Sequence, residues 1–176
     1  MDLYKTVFEL IDMRSFSNLW FWIMLAVLWS TTSHWVLGVP FDMVTRARKH
    51  GGEAAADLEA MVAINTRRLL YIARVSGLWL VGIVAFLFTV LVVLGIFYRV
   101  EFAQAIFLLM APLGLVGLLS LSTAQHISNN ALEGEALYRR LVRHRMLVQG
   151  IGMVSIFITS LWGMWQNMQA YHLFLN

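Results

Sequence analysis

The chain has 176 residues, of which 60% are hydrophobic and only 13% are charged, and this composition lies outside the range usual for soluble domains. It contains no cysteine, which excludes disulfides and thiolate-held zinc or iron–sulfur clusters. The net charge of +3 does not indicate a nucleic-acid partner, because the basic residues flank apolar runs, where such residues set membrane topology.

The first half of the chain predicts a surface helix, a membrane span and a long second helix. In residues 1–14 the charged positions recur every three or four residues, which is typical of a helix lying on a membrane surface. Span 1 covers residues 18–39, and a basic loop follows at residues 41–52. A helical pattern then runs through residues 53–98, roughly 69 Å at about 1.5 Å per residue, so that only its second part, span 2 at residues 70–98, fits in a bilayer.

The second half predicts two further spans. Span 3 covers residues 102–122 and contains Pro112, which predicts a kink. Asn130 and Glu133 have the spacing of a capping box, so a helix is expected to begin directly after Asn130. This helix continues into span 4 at residues 146–170.

Together these elements predict an all-α fold. Residues 1–176 are expected to form one transmembrane domain, an integral membrane four-helix bundle in which the helices of spans 2 and 4 extend into the cytoplasm. The first and third loops hold most of the basic residues. By the positive-inside rule, these loops are cytoplasmic and both termini are periplasmic in a bacterial inner membrane.

Five segments of the chain resemble a group of small alphaproteobacterial membrane proteins labelled "component of SufBCD complex": FELIDMRSFSNLW, SHWVLGVPFDMV, ARVSGLWL, VEFAQAIFLL and RHRMLVQGIGMVSIF. The likeness covers nearly the whole chain. It implies a four-helix membrane protein with a link to iron–sulfur cluster assembly. Because the chain lacks cysteine, its contribution would come by contact and not by thiolate ligation.

Polar side chains at residues 30–34 interrupt span 1. Ser30 and His34 are four residues apart and share a helix face, so with Thr31 they could line a pore or a ligand site. Alternatively, the hydroxyls bond to carbonyls of their own helix and His34 lies at the membrane interface. His126 ends span 3 at a depth where it could meet His34 and hold a haem. Since this is a single plausible pair, we expect no haem, metal or other cofactor.

Arginines flank spans 2 and 4 on the cytoplasmic side, where they are expected to contact anionic lipid headgroups or a partner: Arg67, Arg68, Arg74, Arg139, Arg140, Arg143 and Arg145. Mostly apolar residues near them alternate spacings of three and four, in the rows Leu58, Val62, Asn65, Leu69, Ile72 and Leu137, Leu141, His144, Val148. The polar Asn65 within its row could fix the register or meet another subunit. These rows predict an antiparallel pair of helices outside the bilayer. The alternative is that each is simply an amphipathic helix.

The sequence carries no nucleophile–base pair, no paired carboxylates within a span, no phosphate-binding glycine loop and no zinc motif. We therefore expect a non-enzymatic protein that acts by contact, as an accessory or assembly subunit of a membrane complex or as a homo-oligomer. The alternative is a small oligomeric channel or transporter in which span 1 lines the pore.

Overall fold

The computed structural model describes the backbone of residues 15–174 and the side chains of residues 15–169. The surface helix expected at residues 1–14 lies outside the described residues. Within residues 15–174 the chain forms five α-helices and one small hairpin, with these bounds: α1 Leu19–His34, β1 Trp35–Val36, β2 Val39–Pro40, α2 Phe41–His50, α3 Gly52–Val92, α4 Glu101–Asn129 and α5 Gly134–Phe174. The prediction of an all-α fold is confirmed.

Among the described residues, three helices are long and apolar enough to cross a membrane: Gly52–Phe97, Glu101–Asn129 and Gly134–Gln169. The first consists of α3 and the π-helical turn Val93–Phe97 that continues it. The helix expected to form span 1 is shorter. α1 has 16 residues, which give about 24 Å of helix against about 30 Å of bilayer core.

A tight hairpin ends α1. Leu37 and Gly38 both have positive φ, 50° and 75°, as the type I′ turn of a two-residue hairpin requires, and Val36 pairs with Val39. Asn65 of α3 donates from Nδ2 to the Gly38 carbonyl at 3.2 Å, which attaches the hairpin to that helix. The prediction that span 1 continues as a helix to residue 39 is therefore wrong, because the chain reverses direction at Leu37.

The basic segment after the hairpin is a helix, so the prediction of a loop at residues 41–52 is also wrong. α2 places Val44 and Ala47 in the interior, while Arg46 and Arg48 remain exposed. Two apolar residues three apart form one face of a short helix. Tertiary packing on that face explains why so basic a segment is helical.

α3 and α4 follow the predicted pattern, with differences at their ends. α3 continues without a break from the segment before span 2 into the predicted span 2 itself. Its π-helical turn is held by Gln104, whose Nε2 donates to the Gly95 carbonyl at 2.8 Å. A Cβ at Gly95 would lie 3.1 Å from Cγ of Gln104, so glycine at this position favours the close approach of Gln104. α4 includes Pro112 and ends at Asn129, seven residues after the predicted end of span 3.

The turn between α4 and α5 is built differently from the predicted capping box. Asn130 donates from Nδ2 to the His126 carbonyl at 2.8 Å and so caps the end of α4. α5 begins only at Gly134, whose N–H donates to Glu59 Oε1 at 2.8 Å. The predicted start after Asn130 is wrong because the cap is supplied by α3, from 75 residues earlier in the chain.

Two buried clusters hold the helices together. The hairpin core lies where the hairpin, α2 and the starts of α3 and α5 meet, and consists of Val36, Val39, Val44, Ala47, Leu58, Val62, Ile127, Leu137, Tyr138 and Leu141. The mid-helix core joins α1, α4 and α5 through Leu25, Trp29, Val116 and Val148. Burying side chains of this size is worth about 1.5–3 kcal/mol each.

The sequence predicted that the parts of α3 and α5 outside the bilayer pair directly with each other, and the structure does not show this direct pairing. Leu58, Val62 and Leu137 are buried as the spacing predicted, but α3 and α5 make few close backbone contacts with each other. α2 packs against both helices and adds Val44 and Ala47 to the same core. The apolar rows of α3 and α5 are therefore covered by a third helix and the hairpin.

Candidate functional site

A cavity of about 540 Å³ lies between α1 and α3. It exists because α1 packs mainly on α5 while α3 packs mainly on α4, so that α1 and α3 leave a gap. Four helices contribute to its wall, with Thr31 and Thr32 from α1, Arg68, Leu69 and Ile72 from α3, Val116 and Ser120 from α4, and His144 and Val148 from α5. We call it the α1–α3 cavity.

His144 connects α4 and α5 at the base of the α1–α3 cavity. It is 3% exposed, with Nδ1 3.2 Å from Thr123 Oγ1 and Nε2 3.4 Å from Ser120 Oγ. The Ser120 hydroxyl donates to the Val116 carbonyl at 2.8 Å, so toward His144 it can only accept. The ring therefore carries its proton on Nε2, and Nδ1 accepts from Thr123. Both nitrogens of a neutral imidazole are thus satisfied.

The polar groups that remain for a ligand lie on opposite walls. Arg68 is exposed, and within the described part of the chain no hydrogen bond or ion pair involves its guanidinium. Thr31 and Thr32 face it from α1. Asn65 also lines the cavity, but its amide nitrogen already donates to Gly38. Arg68 is the charged group of the cavity.

The residues predicted from span 1 separate into different environments. Thr31 lines the α1–α3 cavity, whereas Ser30 and His34 are exposed and do not. His34 lies edge-on to Trp35, with ring centroids 6.1 Å apart. The alternative, in which a hydroxyl bonds to a carbonyl of its own helix, is seen at Ser33, whose hydroxyl donates to the Ser30 carbonyl at 3.0 Å.

His126 belongs to the end of α4 and not to the α1–α3 cavity. Its Nδ1 lies 3.3 Å from Nδ2 of Asn130, and the residue is exposed. Among residues 15–169, no group of three or more histidine or acidic side chains could hold a metal ion. The hypothesis of a haem between His34 and His126 finds no support in these contacts.

The predicted arginine set is split between surface and interior. Five of its members are exposed: Arg67, Arg68, Arg74, Arg139 and Arg143. Arg140 and Arg145 are half-buried, and the Arg145 guanidinium lies 3.8 Å from the centre of the Phe41 ring, a cation–π contact between α5 and α2. Arg48 of α2 forms an ion pair with Glu135 at 3.2 Å. Some basic residues therefore hold helices together.

Sequence reasoning missed the polar cluster of Ser120, Thr123 and His144. His144 had been assigned to an apolar row together with Leu137 and Val148, and it does lie in that row. A signal was present, because Ser120 and Thr123 are three residues apart and share a face of α4 that could satisfy a buried imidazole. Which helix faces which is a tertiary property.

The sequence matches no family model and no curated protein, and the fold matches no solved structure. The function of this chain must therefore be inferred from the geometry and chemistry of the site. A mostly apolar cavity between helices, with one arginine and the hydroxyls of Thr31, Thr32 and Ser120 on its walls, has the composition of a binding site.

Proposed function

We propose that this chain is a non-enzymatic, multi-pass protein of the bacterial inner membrane that acts by contact, as an accessory or assembly subunit of a membrane complex or as a homo-oligomer. In this proposal α1, α3, α4 and α5 form four spans, and the hairpin lies at the cytoplasmic end of α1. The hairpin core, with the basic residues of α2, α3 and α5 around it, is cytoplasmic, and both termini are periplasmic.

The exposed apolar face of α3 is the main observation that supports this proposal. From Leu78 to Phe97 this helix packs against α4 on one side, and its opposite side presents large apolar side chains, with Leu78 87% and Phe97 78% exposed. The segment is free of charge. In water such a face would be costly, whereas in a bilayer lipid or another apolar helix covers it.

Small residues on α3 support contact with another helix in addition to lipid. Around Gly77 and Gly82, the position of a missing Cβ has no atom within 4 Å, so a second backbone can come close. Glycine at such positions promotes helix association in membranes through close packing. A second copy of this chain or a subunit of another complex could supply that helix.

A size measurement tests this proposal. The protein should stay in the membrane pellet after an alkaline wash, and in mild detergent light scattering should give a particle heavier than one chain. Mass spectrometry then identifies whether the added mass is a second copy or another chain. The resemblance noted from the sequence makes an iron–sulfur cluster assembly complex one partner that this measurement could identify.

Matched variants test the contact surface. Gly82→Leu should reduce the particle mass, because the side chain would keep a second helix away from α3. Gly117→Leu in α4, which also replaces a glycine with open space around its Cβ position, is the control and should leave the mass unchanged. A single-chain particle without a partner in the wild type would contradict the proposal.

The position of Thr31 on the cavity wall favours one second candidate, a small oligomeric channel or transporter. If span 1 lines a pore, Thr31→Ala should lower potassium, chloride or proton flux into proteoliposomes severalfold. The substitution removes a hydroxyl that would replace water molecules around the permeating ion. Ser30→Ala is the matched control, since Ser30 does not line the cavity. Wild-type vesicles no leakier than empty ones would exclude this candidate for those ions.

A further inference from the structure

The α1–α3 cavity has the size and wall chemistry of a ligand site. Its volume of about 540 Å³ falls within the ~300–1,000 Å³ usual for small-molecule sites. Leu69, Ile72, Val116 and Val148 make most of the wall apolar. Because α1 and α3 barely touch, a long apolar chain could enter sideways between them from the surrounding bilayer.

The charge at the cavity is of one sign. Arg68 lines the wall, and neither aspartate nor glutamate is among the lining residues. Two carboxylates of the cytoplasmic end are engaged elsewhere, Glu59 with the Gly134 amide and Glu135 with Arg48. A guanidinium at the edge of an apolar cavity is complementary to an amphipathic anion, whose charged group binds the guanidinium while its apolar part fills the cavity.

We propose that an anionic phospholipid of the cytoplasmic leaflet inserts one acyl chain into the α1–α3 cavity and places its phosphate on Arg68. Thr31 and Thr32 donate from the opposite wall to the ester oxygens, and Ile72 and Val148 contact the chain. The inference rests on the membrane location proposed above and does not depend on contact with another protein. The proposal assigns one defined lipid site. The set of arginines by itself indicates only a general attraction to the headgroup layer.

Native mass spectrometry of the full chain tests this proposal. The protein is prepared in mixed micelles with equal amounts of dioleoyl phosphatidylglycerol and dioleoyl phosphatidylcholine, which differ in headgroup charge and share their acyl chains. The wild type should retain phosphatidylglycerol about fivefold more often. The phosphates of both lipids can reach Arg68, but the choline cation of phosphatidylcholine cancels the net negative charge that the guanidinium attracts. Arg68→Gln should bring this ratio close to one. Arg74→Gln, an exposed arginine of the same helix outside the cavity, should keep the wild-type ratio.

A second pair of measurements tests the acyl chain. Ile72 lines the cavity and is partly exposed, so Ile72→Trp places a larger side chain in the cavity and should reduce the retention of both lipids severalfold. An unchanged elution volume in size-exclusion chromatography checks that the variant is folded. Excess glycerol phosphate, which has the charged group without the chain, should leave bound phosphatidylglycerol in place. Full displacement by glycerol phosphate, or equal ratios in the wild type and Arg68→Gln, would overturn the proposal.

The alkaline wash and the lipid ratio together distinguish a missing lipid site from a wrong membrane location. A protein that stays in the membrane pellet after alkaline washing but retains both lipids equally contradicts the lipid site alone. A protein released by that wash contradicts the membrane location and with it the proposed function.

Discussion

Val62→Asp is expected to destabilise the hairpin core by about 3–5 kcal/mol, because it leaves an uncompensated charge in an apolar interior. Val62 is 1% exposed and belongs to one cluster with Leu58, Leu137 and Leu141. The proposed spans should still insert, since insertion depends on their own hydrophobicity. Limited proteolysis from the cytoplasmic side should cut the variant much faster than the wild type within residues 53–67.

Ala60→Asp is the control for this experiment. It adds the same charge to the same helix at an exposed position, two residues before Val62, and should be cut at the wild-type rate. Equal cleavage of wild type and Val62→Asp would mean that the start of α3 is not packed in solution. In that case the hairpin core could not form a stable cytoplasmic surface for a partner.

Gly152→Ala and Gly150→Ala should change stability in opposite directions, although the two glycines are two residues apart on α5. At Gly152 an added Cβ would lie 2.7 Å from Cε3 of the buried Trp29, an overlap that should cost about 1–3 kcal/mol. At Gly150 nothing lies within 4 Å, and replacing a helical glycine by alanine should gain roughly 0.5–1 kcal/mol. Thermal unfolding in detergent, followed by far-UV circular dichroism, measures both.

A double-mutant cycle identifies Trp29 as the cause of the loss at Gly152. In a Trp29→Leu background the added methyl group has room, so Gly152→Ala should cost at least about 1 kcal/mol less than it does in the wild type. If its cost is the same in both backgrounds, α1 and α5 do not approach each other at this point. The mid-helix core would then be packed differently from the structure.

Much of the helical architecture could be predicted along the chain. Span 2, predicted at residues 70–98, matches the apolar part of α3 and its π-helical turn, and the spacing of Leu58 and Val62 predicted their burial. α2 was missed because most of its ten residues are polar, and the apolar ones become a helix face only once Val44 and Ala47 have a partner surface. Periodicity over so short a segment carries little information.

The candidate site was predicted only in part. Thr31 does line a cavity, but Ser30 and His34 do not, because the spacing of four predicts a shared face without saying what that face meets. His144 had been placed in an apolar row, and its buried hydrogen bonds to Ser120 and Thr123 could not be predicted from α5 alone. Arg68 was predicted as one of seven equivalent arginines, and the cavity distinguishes it from the others.

Hydropathy and helical spacing, which are local properties, by themselves determined that the chain is all-α and that three of its helices are long and apolar enough to cross a membrane. Tertiary structure decided that α1 ends at a hairpin attached to Asn65, that Glu59 caps α5, and that a cavity remains between α1 and α3. These features join residues far apart in the chain. Their contacts depend on which helix faces pack together, and the pattern along a single segment does not contain that information.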